Sequence, residues 1–400
     1  MTSLAIPRRR FLKDSSSLAL AATIAPFTQA AESLTKERYP AVIIGHTGRG
    51  NYGHDMDLIF TDHPKIEVVA VADPDEAGRA KAAQRAKAPR QYADYKLMLE
   101  REKPDLVCVG ARWTDQHYAM IRAALESGAH VFSEKPFTQT LAEADQLLLL
   151  AEKQKRRIAV AHQMRLAPGI LHLKSALDSG ILGDLVEIHA FGKQDSRAGG
   201  EDMLVLGVHL FDLMRFFAGE AEWCHARVQI KGRDITHADA HNPSETIGLI
   251  AGDDVRAQFG FAHGVIGTFT STQKLRELVG HWGIELVGSK GKVRILADVF
   301  PRIVIMELTA WTDRGRSDQW KPIEGAPIIA ASAEERSFAA ANRRVVDDWL
   351  QAIEAQKEPT CSGRSGMKAV EFVMAVYESA LTRSRVALPL DRRTHPLAGG

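Results

Sequence analysis

A glutamate and a lysine lie side by side in the stretch FSEKPFTQT, residues 132–140, directly after an apolar run. Proline at 136 biases Lys135 away from helix and towards an extended backbone. The preceding strand would then aim this lysine out of the carboxyl edge of a sheet, where open parallel sheets bind ligands. A lysine there can hold a hydroxyl and stabilise the alkoxide character that develops as hydride leaves carbon. A solvated strand end is the alternative interpretation.

A glycine-rich turn, GHTGRG, follows an earlier apolar run at residues 41–44 and continues into a predicted helix. Such a turn offers backbone N–H groups to a pyrophosphate at the positive end of the helix dipole. The spacing is imperfect, because Thr47 occupies the position where backbone must approach phosphate closely, and an intact G-x-G-x-x-G begins three residues late at Gly48. A loop that only turns the chain therefore remains open. The predicted contacts in this turn are Gly45, Thr47, Gly48, Arg49 and Gly50.

An aspartate, Asp73, ends the second apolar run, IEVVAVADPD. An acidic residue at this place holds ribose hydroxyls and disfavours a 2′-phosphate. The cofactor is therefore predicted to be NAD rather than NADP.

These residues require elements that bring strand ends together. Five apolar runs alternate with helical segments between residues 41 and 162, which is typical of a parallel sheet covered on both faces. We predict a doubly wound, dinucleotide-binding Rossmann domain over residues 38–162.

After about residue 165 the chain becomes rich in strand-like segments separated by Gly and Asp turns. Residues 252–254 and His263-Gly264 resemble hairpin turns. We predict a C-terminal α+β domain over 163–400, with a large, mainly antiparallel, open sheet. Helical spacing returns at residues 334–356 and 366–383, and these final helices are expected to pack back on the first domain.

The first thirty-one residues have the order of an export signal: a basic start, a short apolar middle and small residues near Ala30. Arg8 and Arg9, followed by Phe11-Leu12-Lys13, closely resemble the twin-arginine signal. The apolar part is shorter than the roughly 20 residues that span a bilayer. We therefore expect residues 1–31 to be removed and the protein to be periplasmic or otherwise exported.

Bulk composition excludes several classes of function. The formal net charge of +1 gives no basic field for nucleic acid or anionic membrane. Three distant cysteines favour buried free thiols over a disulfide framework or a zinc site. His237 and His241 have the spacing of half a metal site, but no third ligand is evident and a solvated loop is the simpler interpretation, so no metal is predicted.

Several of these segments together resemble the Gfo/Idh/MocA oxidoreductase family. They include the glycine turn, VADPD, ESGAHVFSEKPFTQTLAEADQLL, LGVHLFDLMRFFAG, GIELVGSKGKVRI and the ending VYESALTRSRVALPL, and they cover nearly the whole mature chain. Glu134-Lys135-Pro136 is the most specific of these signatures. The resemblance implies a Rossmann domain, a second domain with an open sheet, and oxidation or reduction of sugars, cyclitols or related polyols with a bound nicotinamide nucleotide.

The resemblance also implies residue roles. Lys135 is expected to be catalytic, Glu134 to lie beside the nicotinamide, and His209 to serve as the acid–base, a task that suits a histidine. A hydrogen-bonded core histidine is the alternative for His209. Weaker candidates are Trp113, Thr114, His117 and Gln163 for the cofactor and Arg165 for the substrate, with surface packing as the alternative for each. Asp212 is a further candidate substrate contact.

One position departs from the family pattern. Family dehydrogenases commonly carry an aspartate four residues before this histidine, and here that residue is Val205. Asp202 is about 10 Å from His209 along a helix, too far for a direct bond, whereas Asp212 shares a face with His209 and could orient it. The usual proton relay is therefore in doubt.

Export constrains the chemistry, since a periplasm has no obvious soluble pool of NAD to exchange with. The cofactor is expected to stay bound, with hydride passed to a second substrate or returned to the first. The second case is an NAD-dependent glycosidase that oxidises its sugar transiently. A non-catalytic nucleotide- or sugar-binding sensor is the third alternative. A homodimer or homotetramer is expected, with the open sheet face buried between subunits as in the family.

Overall fold

The computed structural model describes residues 37–243, 245–276, 282–307, 320–325, 332 and 334–399, and the predicted signal at residues 1–31 lies outside them. Six parallel strands form the first sheet, in the order β3-β2-β1-β4-β5-β6. They are β1 (Tyr39–Ile44), β2 (Ile66–Ala72), β3 (Arg90–Tyr92), β4 (Leu106–Val109), β5 (His130–Ser133) and β6 (Ile158–Val160). The predicted Rossmann architecture is confirmed.

Four α-helices alternate with these strands: α1 (Glu76–Ala86), α2 (Tyr95–Glu102), α3 (His117–Glu126) and α4 (Leu141–Lys153). Their N-termini are capped as sequence rules require, with Asp75 and Asp94 accepting backbone N–H groups of α1 and α2, and Thr140 with Glu143 forming a capping box on α4. The helix predicted after the glycine turn is wrong. That segment is a short 3₁₀ helix, Gly53–Leu58, because His54 and Asp55 adopt left-handed backbone angles that interrupt it.

The second sheet has ten strands, with the path β15-β14-β13-β12-β7-β11-β10-β8-β16 and β9 paired to β8. All described pairs are antiparallel except β7 with β11, which confirms the mainly antiparallel prediction. The strands are β7 (Leu185–Phe191), β8 (Ala221–Ile230), β9 (Arg233–Asp234), β10 (Asp254–Phe261), β11 (Ile266–Thr272), β12 (Gly283–Gly288), β13 (Gly291–Leu296), β14 (Arg302–Glu307), β15 (Lys321–Pro322) and β16 (Val386–Ala387).

The two expected hairpin turns have different outcomes. His263-Gly264 does join the antiparallel strands β10 and β11. Residues 252–254 only lead into β10, because the preceding segment makes a single bridge, between His241 and Ile250, rather than a strand. The three cysteines are free and buried, as predicted.

Five further helices complete the fold: α5 (Pro168–Asp178), α6 (Gly200–Asp202), α7 (Val208–Ala218), α8 (Phe338–Glu354) and α9 (Gly363–Thr382). A π-helical turn, Met203–Gly207, joins α6 to α7. Phe372 of α9 stacks on Phe259 of β10 with ring centroids 4.4 Å apart, in the core of the second sheet. Trp349 of α8 is fully buried against Phe60 and Phe132, in the core beside the first sheet. No described helix is both long and apolar enough to cross a membrane.

Candidate active site

A cleft of about 220 Å³ opens at the carboxyl edge of the first sheet, at the ends of β1 and β2. Its lining residues are Ile44, Gly45, His46, Ala72, Asp73, Pro74, Ala93, Asp94, Tyr95, Gln116 and Met120. Its position is where a doubly wound sheet binds the adenosine half of a dinucleotide.

The glycine turn begins in this cleft and has an exposed, left-handed backbone. Gly48 has a φ of +86°, and a Cβ added to it would meet no atom within 4 Å. At Gly50, with a φ of +85°, a Cβ would lie 2.5 Å from the backbone nitrogen of Trp113, so only glycine fits there. Arg49 extends outwards, pairs with Asp115 and lies over the Trp113 ring. The turn is closed by its own hydrogen bonds, since the Gly48 N–H donates to the Asn51 side chain at 2.9 Å and the Arg49 N–H to the His46 carbonyl at 2.9 Å.

Asp73 lies in the cleft but its carboxylate is already engaged. It accepts hydrogen bonds from the Thr47 backbone N–H (3.0 Å) and hydroxyl (2.8 Å), and from the Asp75 N–H (3.0 Å). The Thr47 side chain fits against Gly78 of α1, where a Cβ would lie 1.9 Å from its hydroxyl oxygen. The threonine that breaks the glycine pattern thus fastens the turn to the second strand.

Two of the residues predicted after β4 are turned inwards. His117 is fully buried, with its ring nitrogens 3.2 and 2.7 Å from the carbonyl oxygens of Phe137 and Ala111. The Thr114 backbone N–H donates to the carbonyl of Thr246, and its buried hydroxyl has no partner among the described residues.

A second cleft, also of about 220 Å³, lies at the ends of β5 and β6 beneath the π-helical turn. It contains Lys135 and His209, which lie 74 positions apart in the chain, and Gln163 lines it too. The remaining lining residues are His54, Arg112, Met164, Lys193, Arg197, Val205, Leu206, Trp282, Asp298, Val299 and Phe338. The segment that begins with the glycine turn connects the two clefts, since Gly45 and His46 line the first and His54, four residues after the turn, lines the second.

Lys135 is only 2% exposed and its ammonium donates to the carbonyl oxygen of Val205 at 3.1 Å. Burial lowers the pKa of Lys135, and the neighbouring Glu134 carboxylate partly offsets this. An ammonium has three N–H donors, so one bond to Val205 leaves two for a ligand. Val205 lies in the π-helical turn, a feature that is frequent at functional sites.

Glu134 is fully buried and accepts from the Nδ1 of His54 and from the Lys135 backbone N–H. Burial alone would raise the pKa of Glu134, but the charge and hydrogen bond of His54 and the charge of Lys135 outweigh it and lower the pKa to about 2. Glu134 is therefore a carboxylate at neutral pH.

His209 is buried beside two aromatic rings, with ring centroids 5.4 Å from His162 and 6.4 Å from Trp282. Its Nδ1 has no hydrogen-bond partner among the described residues. Burial, and then the charge of Lys135, lower the pKa of His209 well below its ordinary value. His209 is thus a neutral imidazole with an unsatisfied nitrogen.

Arg165 and Asp212, two of the predicted substrate contacts, form a buried ion pair. The Arg165 Nε and Nη2 donate to the two Asp212 carboxylate oxygens at 2.8 and 2.6 Å. Burial raises the pKa of Asp212, but the adjacent Arg165 outweighs it, so that the pKa is lowered. No bond joins Asp212 to His209 within the described part of the chain, and neither member of the pair lines the second cleft.

Sequence reasoning missed the group that closes the second cleft. Gln163 donates to Asn342 of α8 at 2.7 Å, and Asn342 donates to the backbone carbonyl of His54 at 3.0 Å. Phe338 packs on the His54 ring with centroids 4.8 Å apart. The position of His54 directly after the glycine turn was a usable signal, whereas nothing in the sequence of α8 places Asn342 here.

Two family models match the chain. The oxidoreductase family's NAD-binding Rossmann fold matches residues 40–162, and its C-terminal alpha/beta domain matches residues 174–388. The chain belongs to the Gfo/Idh/MocA oxidoreductase family. The predicted family is thus confirmed, and the first domain is an NAD-binding domain, as predicted.

Relatives differ in how much of this chain they share. A D-apiose dehydrogenase of Paraburkholderia graminis is 26% identical over 376 residues, 90% of this chain and 92% of its own length. A glycosyl hydrolase family 109 protein of Streptomyces coelicolor is 30% identical over 168 residues, but these are 40% of this chain and 35% of the relative. The solved structure of levoglucosan dehydrogenase with NADH and levoglucosan has a TM-score of 0.70 at 17% identity, covering 88% of this chain and all of the other.

The residues present fit NAD in this member of the Gfo/Idh/MocA family. The space beside Gly48 is open, and Asp73 supplies a negative charge at the adenosine cleft. The unpartnered Nδ1 of His209 leaves a polar atom in the second cleft for a ligand to satisfy.

Proposed function

We propose that this protein is an NAD-dependent oxidoreductase that acts on a hydroxyl-bearing carbon of a sugar or polyol. Lys135 holds the reacting oxygen, and His209 assists proton transfer by hydrogen-bonding to the same oxygen. When bound, NAD accepts or returns the hydride. The observation that carries the proposal is the pairing of Lys135, with two free N–H donors, and the unsatisfied His209 nitrogen in one cleft.

The residues suit this chemistry in both directions. A buried ammonium with two free donors stabilises an oxygen on which negative charge develops, and it does so best where water is excluded. The full-length similarity to a D-apiose dehydrogenase supports a carbohydrate as the substrate. The glycosidase alternative has less support, since the hydrolase similarity covers only two-fifths of the chain.

The test has two steps. Denaturation of protein purified from its native compartment should release NAD in stoichiometric amount, identified by mass and absorbance. Candidate sugars, including D-apiose and levoglucosan, are then added to the NAD-loaded protein while absorbance is followed near 340 nm. Lys135→Met should lower the reduction rate about 10²–10⁴-fold with little change in NAD affinity, because it removes a charge needed at the reacting oxygen.

Lys174→Met is the matched control, since Lys174 lies on α5, outside both clefts, and pairs with Asp178. NAD release together with no absorbance change for any sugar would favour a sensor. Sugar release from a glycoside without net NAD reduction would favour the glycosidase. No nucleotide bound or released would overturn the proposal.

Export through the twin-arginine route is also part of the proposal, and it rests on Arg8 and Arg9. An exported enzyme has no free pool of NAD to draw on, so NAD should remain bound to the protein during dialysis. The double substitution Arg8→Lys–Arg9→Lys should move the protein from the periplasm to the cytoplasm, which cell fractionation measures. Loss of NAD on dialysis without loss of function would contradict the retained-cofactor argument.

The open face of the ten-stranded sheet is proposed as the contact between subunits in a dimer or tetramer. Phe191 of β7 is 38% exposed, on the opposite face of the strand from the buried Ala190. Light scattering of the purified protein tests this, and a monomeric mass at micromolar concentration would refute it.

A further inference from the structure

His54 and Glu134 form a carboxylate–histidine pair at the edge of the second cleft. The His54 Nδ1 contacts the Glu134 Oε1, and the side chain of His54 is 23% exposed whereas that of Glu134 is fully buried. A carboxylate can only accept a hydrogen bond, so Nδ1 must carry the hydrogen. The other ring nitrogen, Nε2, then has a free lone pair whenever the imidazole is neutral, and it has no hydrogen-bond partner among the described residues.

Three contacts fix this ring in place. Glu134 holds Nδ1, Phe338 of α8 packs against the ring, and Asn342 binds the His54 backbone carbonyl. The backbone at His54 is left-handed, with φ 48° and ψ 46°. Such a conformation is uncommon for a non-glycine residue, and here it points an imidazole into the cleft that Lys135 lines.

The two histidines that line this cleft have different surroundings. Its protonated form would be buried, close to the positive charge of Lys135 and without a carboxylate partner. His54 instead contacts the Glu134 carboxylate and is partly exposed, which gives a proton a route to solvent. The aspartate that commonly precedes the family histidine is absent here, since Val205 occupies its position and contributes only a carbonyl to the cleft.

We propose that His54, held by Glu134, is the general base of the oxidation and the general acid of the reverse reaction. This rests on the proposed function. As the carbonyl forms, the substrate O–H and C–H bonds break; the proton passes to the lone pair of His54 Nε2, and the hydride is accepted by NAD. The substrate loses two electrons and NAD gains them. The imidazolium keeps its Nδ1–H on Glu134, while Lys135 stabilises the oxygen.

The test uses His54→Asn, because the asparagine amide can replace the Nδ1 donor to Glu134 and asparagine tolerates the left-handed backbone. An alanine would add backbone strain and confuse the result. We expect the affinity for NAD to stay within about twofold while reduction by the active sugar falls about 10²–10⁴-fold. His189→Asn is the matched control, since His189 also contacts a glutamate, Glu187, but on β7 outside both clefts.

A second readout is independent of turnover. Ring ¹⁵N spectra of the protein without sugar should assign the Nδ1–H tautomer to His54, identified as the signal that His54→Asn removes from the spectrum of 15 histidines. Glu134→Gln should shift that signal towards the other tautomer, since the amide can also donate. A His54 ring protonated on Nε2 alone, or an unchanged rate in His54→Asn, would overturn the proposal. A loss of NAD affinity equal to the loss of rate would do the same, by making His54 a cofactor-positioning residue. Failure of the wild type to bind NAD would instead refute the proposed function, with the tautomer result unaffected.

Discussion

The buried pair Arg165–Asp212 permits a quantitative prediction about stability. The side chains of the two residues are 10% and 1% exposed, and two N–O contacts of 2.8 and 2.6 Å join them. A third bond runs from the Arg165 Nη2 to the Asp212 backbone carbonyl at 3.0 Å. Substitution of one partner leaves the other charge buried without a counter-ion, which costs about 3–5 kcal/mol.

Asp212→Asn should therefore lower the free energy of unfolding by about 3 kcal/mol, the lower end of that range, because asparagine still accepts one hydrogen bond. Arg215, whose Nη1 lies 3.8 Å from Asp212, would add a second cation to the unbalanced site. Adding Arg165→Met to this variant should recover part of the loss, because the buried arginine is then removed. The two substitutions should thus be coupled by about 1–3 kcal/mol.

Urea unfolding, followed by tryptophan fluorescence and circular dichroism, measures both quantities. Glu126→Gln, which breaks the half-exposed pair with Arg122 on α3, serves as the control and should leave the midpoint unchanged. We also expect Asp212→Asn to leave the KM for the active sugar unchanged, since neither member of the pair lines the second cleft. A loss below about 1 kcal/mol with zero coupling would refute the argument from burial.

Two further predictions concern pH and cofactor choice. Burial lowers the pKa of His162 to about 4 and that of His130 to about 3. As the pH falls below 6.5, these two histidines therefore take up protons in the unfolded chain before they do so in the folded protein. The stability that depends on neutral His162 should be complete above pH 6.5 and fall by about 3 kcal/mol towards pH 4; urea midpoints that stay flat between pH 7 and 5 would contradict this. Asp73→Asn should bring the Kd of NADP⁺ at least about tenfold closer to that of NAD⁺, because it removes the negative charge that repels a 2′-phosphate; titration of both nucleotides by fluorescence measures it, and an unchanged ratio would show that Thr47 rather than the charge sets selectivity.

The first sheet was readable from sequence because its central strands are buried on both faces and therefore appear as unbroken apolar runs. The edge strand β3 was not, since it has only three residues, Arg90–Tyr92, and two of them are exposed. Helix α5 was also missed, although Pro168 at its first turn and Gly180 after its end are typical signals of helix boundaries. Strand β3 and helix α5 were missed because their apolar patterns are short or mixed and lie beside longer, clearer ones.

The candidate site was predictable where a strand end decides the position of a residue. Lys135 could be placed at the sheet edge because an apolar run and a proline flank it. Asn342 could not, because it lies 179 residues from Gln163, the side chain to which it binds. Asp212 shows the opposite error. Helical spacing correctly placed it on the face of His209, but its carboxylate accepts hydrogen bonds from Arg165, which follows β6.

Val205 shows why one missing side chain does not decide whether a relay works. Valine at 205 lacks the carboxylate that the family pattern has at this position, and a sequence pattern records only this change of side chain. The π-helical turn uses its backbone instead, and the carbonyl of any residue at 205 could accept the Lys135 ammonium. The same cleft also contains an imidazole outside that helix, His54, which contacts the buried Glu134 carboxylate. If that pair carries the proton, valine at 205 is compatible with catalysis, because the position has only to hold the lysine.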